Sequence, residues 1–526
     1  MELVRQKREL SEWQPNGVSP ESVGAACCSF IDTATTAFGR ATHYNTKAEQ
    51  QAAEIAAHNG LFQLERDLYT VMLALPGITD RSQALGLKNL LATTRNGDTL
   101  LTPIVEREVL YQMLRRLRPD RMLKAMEGFR LGDPELGLRK ANNARSRKLV
   151  LRTLLNAGQL QWWSVRYKKR IKKILVHAWG EKIAGAISSI LRKPETSWTE
   201  KEYGILHRNI GKFVDGKVEK VHQCVGFVLG LRKQTDLPLL KAFKEARENL
   251  EAGKKLPVEV LEGIRSTYHK DTPHAKVLEL TAKSGSMTKT QKVQKQREAA
   301  KAGVKVEADL SALDATKLYL YAFEMGMTDE IAGLLKEKAG KAASLFPTDY
   351  EVVGIVVDAS ASMAGSRDQK LRPLAATLAL RDMLAKTGKT HVVEYVGGPE
   401  ANLGKAQGDT DLSTPLVSAL EQEPDVVFVL SDGYENAPAG RFSETVEALH
   451  EMGCRVPIYH LNPVFAAEAG GIRDLSPKVP ALPVQSPTAL GTTFIRGMIA
   501  AEPVKGINAL IGVAAKNSPY LLTGGA

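Results

Sequence analysis

The spacing of apolar residues changes at Tyr350, and this change limits the folds that the chain can adopt. Before it, apolar residues recur every three or four positions; after it, short runs rich in β-branched residues alternate with runs of helical spacing. The predicted strands are residues 352–358, 390–396, 425–432 and 455–461. Apolar strands that alternate with helices indicate a parallel sheet covered on both faces, so residues 346–526 are predicted to form a doubly wound α/β domain.

Residues 1–345 are predicted to form a separate, all-α domain. Segments such as 48–75 and 107–129 keep helical spacing, and short clusters of Gly, Pro, Asp and Asn separate them. Many amphipathic helices in succession indicate an α-solenoid of packed helix pairs. The stretch 284–306 differs, because it is rich in Lys, Gln, Ser and Gly and has few large apolar residues. It is interpreted as either a mobile loop or an exposed helix with a basic face.

Side chains that carry oxygen follow two of the predicted strands and also occur in one loop. Asp358, Ser360 and Ser362 come after the first strand, Thr410 lies in a loop, and Asp432 ends the third strand. The carboxyl ends of parallel strands meet at one edge of a sheet, where ligands bind. Carboxylate and hydroxyl oxygens suit Mg²⁺ or a similar hard cation. Alternatively, Asp358 and the serines only cap the helix that follows.

The DxSxS stretch, the later threonine and the aspartate that ends a strand resemble the von Willebrand factor A family. The resemblance implies that the hydroxyl groups of Ser360, Ser362 and Thr410 bind a divalent cation, with Mg²⁺ the first expectation, at a metal-ion-dependent adhesion site. It also implies that Asp358 and Asp432 act mainly through water, and that the open position accepts a carboxylate from a protein partner. Thr414, in GDTDLSTPL, is an alternative to Thr410.

Basic residues concentrate in the predicted helical part. Residues 351–526 carry 14 Lys and Arg against 19 Asp and Glu, whereas residues 1–350 carry 57 against 40. This asymmetry indicates a polyanionic partner, and aromatic residues among the cations favour unpaired nucleic acid. A solvated helix face above core tryptophans explains the same residues equally well. The candidate RNA-binding residues are Arg145, Arg147, Lys148, Arg166, Lys168, Lys169, Arg170, Lys172 and Lys173, with Lys289, Lys292, Lys295 and Arg297 in the 284–306 stretch.

A long basic helical region followed by an A-type domain resembles the TROVE, or Ro, family of RNA-binding proteins. The resemblance is carried by SALDATKLYLYAFEMGM (311–327), by the strand that ends at Asp358, and by the TDLSTPL and SDGYEN segments. It implies a HEAT-like ring that the A domain closes. It also implies binding of single-stranded RNA ends and of small structured RNA, in RNA quality control or processing.

The alternative function is that of an adaptor protein. Many bacterial A-domain proteins work beside AAA+ ATPases of the MoxR type, and here the metal site would grip a carboxylate on a protein client. No set of acid, base and nucleophile emerges from the sequence, so we expect no enzyme and no small-molecule substrate. The sequence has no apolar run of 18 residues and no signal peptide at its start, and its four cysteines form no disulfide framework. We therefore expect a cytoplasmic protein without a membrane span.

Overall fold

The structure, a computed structural model, describes residues 12–15, 17–36, 46–93, 101–156, 158–231, 235–307, 309–346, 349–365, 370–398, 404–463, 473–484 and 486–521. Most of these residues are helical, and they include a parallel sheet of five strands toward the C-terminus. The structure therefore confirms the coarse prediction of a helical part followed by a part in which helices and parallel strands alternate.

The helices before the sheet lie within the predicted helical part. They are α1 (Pro20–Thr36), α2 (Lys47–Leu64), α3 (Arg66–Met72), α4 (Asp80–Ala92), α5 (Pro103–Arg116), α6 (Pro119–Gly128), α7 (Ala144–Leu155), α8 (Leu160–Arg166), α9 (Lys168–Trp179), α10 (Glu181–Arg192), α11 (Glu200–Asn209), α12 (Val218–Leu229), α13 (Pro238–Glu245), α14 (Val258–Tyr268), α15 (His274–Lys283), α16 (Lys289–Lys301), α17 (Ala315–Met325) and α18 (Asp329–Ala343).

The remaining elements alternate as expected for a parallel sheet. They are β1 (Tyr350–Asp358), α19 (Arg372–Leu384), β2 (Gly388–Val396), α20 (Ser413–Leu420), β3 (Val426–Leu430), α21 (Arg441–Glu451), β4 (Ile458–Asn462), β5 (Ala481–Pro483), α22 (Leu490–Ala501) and α23 (Pro503–Asn517). The four predicted strands are present with shifted ends. The fifth strand was not predicted, because three residues are too short to show a period.

The stretch 284–306 contains a helix, α16, which is the second of the two alternatives. Its start is fixed by a capping box: the Gln291 backbone N–H donates to the Thr288 hydroxyl (3.3 Å), and the Thr288 N–H donates to the Gln291 side chain (2.8 Å). Such a box satisfies two N–H groups that a helix start leaves without partners. The cap therefore begins a helix in a segment with almost no apolar face.

The sheet has the strand order β2-β1-β3-β4-β5, with all neighbours parallel. Its two faces are covered by different helices. On one face, Ile355, Val357 and Phe428 pack in a cluster with α17, α18 and α19. On the other, Val356 and Val429 pack in a cluster with α20 and α21. The alternation follows from the two-residue period of a strand, and it explains why β3 and residues 352–357 of β1 are apolar on both faces.

The apolar clusters cross the predicted division between residues 345 and 346. Helices α17 and α18, on the N-terminal side, share one cluster with the sheet. Helices α22 and α23, on the C-terminal side, share another with α1, α3 and the other early helices. The Arg496 guanidinium in α22 also donates to both carboxylate oxygens of Asp32 in α1, with distances of 2.7–3.2 Å. Each part of the chain therefore supplies helices to the core of the other.

Among the described residues, no helix has both the length and the apolar character needed to cross a membrane.

The close crossing of α22 and α23 gives a test of this packing. A Cβ at Gly506 would lie 2.5 Å from the backbone nitrogen of Ile499, whereas a Cβ at Gly512, in the same helix, would meet nothing within 4 Å. We expect Gly506→Ala to lower the free energy of unfolding by about 1–3 kcal/mol, because backbone must move. Gly512→Ala should leave it unchanged or raise it by up to about 1 kcal/mol, because alanine favours helix. Equal stabilities of the two variants in urea unfolding would contradict this packing.

Candidate functional site

The predicted metal ligands come from loops at the carboxyl edge of the sheet. After β1 the chain pairs β2 on one side, and it then crosses to place β3 on the other side of β1. Such a reversal of strand order opens a crevice at the carboxyl ends of the two strands. Asp358 is the last residue of β1, and Ser431 and Asp432 directly follow β3. The topology therefore brings the first and third predicted segments together.

Asp358 is a fully buried carboxylate. Its Oδ1 accepts a hydrogen bond from the Ser360 backbone N–H (2.8 Å), and its Oδ2 accepts one from the Ser431 hydroxyl (2.7 Å). Burial, with a smaller contribution from the charge of Asp432, raises the pKa of Asp358 to about 6 against the lowering effect of these hydrogen bonds. The carboxylate is held firmly in position, and a nearby cation would favour its charged form.

Ser360, Ser362 and Asp432 extend the site toward the surface. The Ser360 and Ser362 hydroxyl oxygens lie 3.2 Å apart, and the Ser362 hydroxyl donates to the Asp432 carboxylate. The Tyr434 backbone N–H donates to Asp432 Oδ1 (3.1 Å), and burial raises the pKa of Asp432. Ser360 and Asp432 are buried, whereas Ser362 is exposed. Access from solvent is therefore on the Ser362 side.

Thr410 and Thr414 have different surroundings. Thr410 is buried, and its backbone N–H donates to the Asn436 side-chain oxygen in the loop after β3 (2.7 Å). Its loop also contacts the DxSxS loop, because the Ala361 backbone N–H donates to the Gly408 carbonyl (3.1 Å). Thr414 is exposed, and its hydroxyl donates to Asp411 (2.7 Å). The geometry favours Thr410 as the threonine of the site.

Gly397 lies directly after β2, and sequence reasoning did not identify it. A glycine at the end of a strand can indicate that two backbone segments approach closely there. Its φ of +82° lies in the left-handed region, and a Cβ there would be 2.7 Å from the Gln407 carbonyl and 2.8 Å from the Ala359 carbonyl. The Gln407 backbone N–H donates to the Ala359 carbonyl (2.9 Å). Gly397 thus lets the Thr410 loop lie against the DxSxS loop.

The donor set of this edge consists of oxygen atoms. Among the described residues, no three His, Cys, Asp or Glu side chains form a group that could hold a metal ion. The candidate set here combines only two carboxylates with three hydroxyls, which is an arrangement suited to a hard cation and not to zinc. The Arg473 guanidinium lies 3.9 Å from the Tyr434 ring centroid, and its charge offsets part of the rise in the pKa of Asp432 that burial causes. Sequence reasoning missed Arg473 because no motif includes it.

Several of the predicted RNA-binding cations form ion pairs within the chain. Arg145 pairs with the buried Glu106. Arg166 lies 2.8 Å from Glu259, Arg170 lies 3.0 Å from Glu127, Lys289 lies 2.6 Å from Asp309, and Lys295 lies 2.6 Å from Glu298. These partners are distant in sequence for all but Lys295, so spacing along the chain could not reveal them. Because they form ion pairs, these cations are less available to a polyanion than exposed basic side chains are.

The other predicted cations differ in exposure. Lys168 and Lys292 are half-buried, and the side chain of Arg297 lies outside the described part of the structure. The exposed ones are Arg147, Lys148, Lys169, Lys172 and Lys173, and of these Lys173 lies 3.9 Å from Glu127.

A cavity of about 900 Å³ lies where α4 and α6 meet the starts of α17 and α19 and the segment before α22. We call it the seam cavity. Seven basic side chains and two acidic ones line it: Arg81, Lys88, Arg118, Arg121, Lys124, Lys317 and Arg372, with Asp80 and Asp314. Three of these cations form ion pairs: Arg81 with the buried Glu54 (2.5 Å), Arg118 with Asp80 (2.9 Å) and Lys317 with Asp314. Burial lowers the pKa of Lys88 to about 8. Sequence reasoning missed this set because its members are spread over nearly 300 positions.

No family model matches the chain, and no curated protein matches it in sequence.

Proposed function

We propose that the chain is an RNA-binding scaffold similar to the TROVE, or Ro, proteins. In this proposal it holds small structured non-coding RNA and single-stranded RNA ends, and it acts in RNA quality control or processing without catalysing a reaction. The observation that carries the proposal is the seam cavity, in which seven Lys and Arg side chains face two aspartates. The basic balance of residues 1–350 supports it.

The chemistry of the seam cavity suits a phosphate backbone. Lys and Arg neutralise phosphates, and the release of counterions drives binding at low salt. Thr316 and Thr488 also line the cavity, and threonine hydroxyls can donate to phosphate oxygens. Neither kind of contact reads the base sequence, so we expect binding that depends strongly on salt and weakly on sequence.

The finer features of the fold belong to the same proposal. We interpret the early helices as a stack of HEAT-like pairs and the sheet with its helices as an A-type domain. The strand order and the carboxyl-edge site support the second interpretation. The succession of helix contacts from α4 through α5 and α7 to α9 supports the first.

We further propose that Asp358, Ser360, Ser362, Thr410 and Asp432 hold a divalent cation, with Mg²⁺ the first candidate. The buried carboxylate of Asp358, whose pKa is raised, and the neighbouring hydroxyl oxygens support this. When bound, the cation would supply a Lewis-acidic position for a carboxylate of a protein partner. The chain's own residues orient that position, because Ser431 and Ser360 hold Asp358 and the Tyr434 N–H holds Asp432.

Thr410 and Thr414 provide a matched test of the metal proposal. Valine replaces a threonine hydroxyl with a methyl group of similar size. We expect Thr410→Val to weaken Mg²⁺ or Mn²⁺ binding by roughly tenfold or more, since it removes a ligand. Thr414→Val should change affinity less than twofold, because that hydroxyl bonds Asp411. Isothermal titration calorimetry measures both, and unchanged affinity in Thr410→Val would show that the site is assigned wrongly.

The seam cavity can be tested by removing two charges from α6. We expect Arg121→Gln with Lys124→Gln to weaken binding of a single-stranded RNA and to reduce the slope of log affinity against log salt by about 1.4, since each lost phosphate contact removes about 0.7. Lys336→Gln with Lys341→Gln, on the exposed face of α18, removes the same charge elsewhere. Filter binding at several salt concentrations compares the two. Equal losses, or no retention of RNA by the unaltered chain at low salt, would refute the proposal.

A further inference from the structure

A second, smaller cavity lies beside α12, among helices different from those that form the seam cavity. Its volume is about 220 Å³, below the range of about 300–1,000 Å³ that is typical of sites for drug-sized ligands. We call it the α12 pocket. Its lining includes Trp198, His222, Gln223, Phe227, Asp236 and Lys244. It is therefore a small site that combines aromatic rings with polar and charged side chains.

His222 is the feature of this pocket that the fold does not explain. Both of its ring nitrogens are buried, and neither has a hydrogen-bond partner among the described residues. Burial lowers the pKa of His222, so the ring is neutral near pH 7 and offers one donor and one acceptor. Buried polar groups in proteins normally have partners, and those that do not call for an explanation. A ligand with a polar edge would give at least one of these nitrogens a hydrogen-bond partner.

The walls of the pocket are flat and fixed in place. The Trp198 indole N–H donates to the Ile190 carbonyl (3.0 Å), and its ring centroid lies 5.5 Å from that of His222. Phe227 is buried and packs edge-to-face on Phe243, with centroids 5.2 Å apart. Rigid aromatic walls favour a ligand that has a planar ring, because an aromatic side chain stacks on another flat ring.

The charged residues of the lining are Lys244, Glu195, Glu219 and Asp236, and a further lysine, Lys168, lies beside the Phe227 wall. The Lys168 ammonium lies 4.1 Å from the centroid of Phe227. Burial lowers the pKa of Lys168, and the charges of Arg247, Lys172 and Lys244 lower it further. Lys244 itself lines the pocket. The two lysines can hold a phosphate at the edge of the pocket, whereas the carboxylates of the lining can accept hydrogen bonds from a neutral group inside it.

We propose that the α12 pocket takes one unpaired nucleotide of a bound RNA, with its base between Trp198 and Phe227 and against His222. This rests on the proposed function in RNA binding. The phosphate lies on the Lys168 side, and the carboxylates of Glu219 and Asp236, which also line the pocket, accept from the ribose hydroxyls. A requirement for the 2′-hydroxyl would make the pocket prefer RNA to DNA.

The experiment uses the full chain and a set of single-stranded RNA oligonucleotides, each with one abasic position. We expect one position at which loss of the base weakens binding about tenfold in the unaltered protein, as stacking on aromatic side chains implies. In His222→Phe, which removes both ring nitrogens and keeps a ring of similar size, the same loss should change affinity less than twofold. His207→Phe, at an exposed histidine of α11, should keep the tenfold effect.

The outcomes separate the two proposals. If RNA binds but an abasic position lowers its affinity equally for His222→Phe and for the unaltered protein, the pocket assignment is overturned and RNA binding stands. If no RNA binds, both fall. Should His222→Phe fail to fold, 4-thiouridine at the sensitive position of the RNA decides with the unaltered protein. A photo-crosslink to the α12 peptide or to Trp198 supports the proposal, and a crosslink elsewhere contradicts it.

Discussion

The crossed sharing of apolar clusters is the constraint on which the rest of the structure depends. Helices α22 and α23 complete the core of the early helices, while α17 and α18 cover the sheet. Because each part of the chain supplies helices to the core of the other, the sheet has a fixed position relative to the early helices. The ion pair between Asp32 and Arg496 stabilises that position. The seam cavity is a consequence of that relation, since its lining comes from both sides. If either pair of helices lost its packing, the basic residues that line the seam cavity would no longer lie together.

The carboxyl edge of the sheet depends on a different constraint, the reversal of strand order between β1 and β3. Because of this reversal, β1 ends at Asp358 in the protein interior, beside Ser431 and Asp432. A buried carboxylate is costly unless hydrogen bonds or a cation favour its charge. The hydrogen bonds from Ser360 and Ser431 supply part of that support. Asp358 caps none of the helices that the structure describes, and Ser360, which stands at the cap position of the short helical turn Ala361–Ala364, makes no capping hydrogen bond through its side chain.

Local patterns in the sequence predicted local features well. The apolar period indicated β1 to β4, and the rule for parallel strands brought Asp358 and Asp432 to one edge. Features that depend on distant partners were not predictable. The pairing of Arg145 with Glu106 spans 39 positions, and the docking of α22 on α1 spans more than 450. The seam cavity, which lies away from the densest basic run at 142–179, was not predictable for the same reason, since its basic residues come together only in the fold.

The central claim is that the seam cavity receives single-stranded RNA. Hydrogen–deuterium exchange of the full chain, with and without a short single-stranded RNA at low salt, tests it most directly. The account predicts slower exchange in α4 and α6 and at the starts of α17 and α19 when RNA is present. Slower exchange confined to 142–179 or to 284–306, with α4 and α6 unchanged, would contradict it.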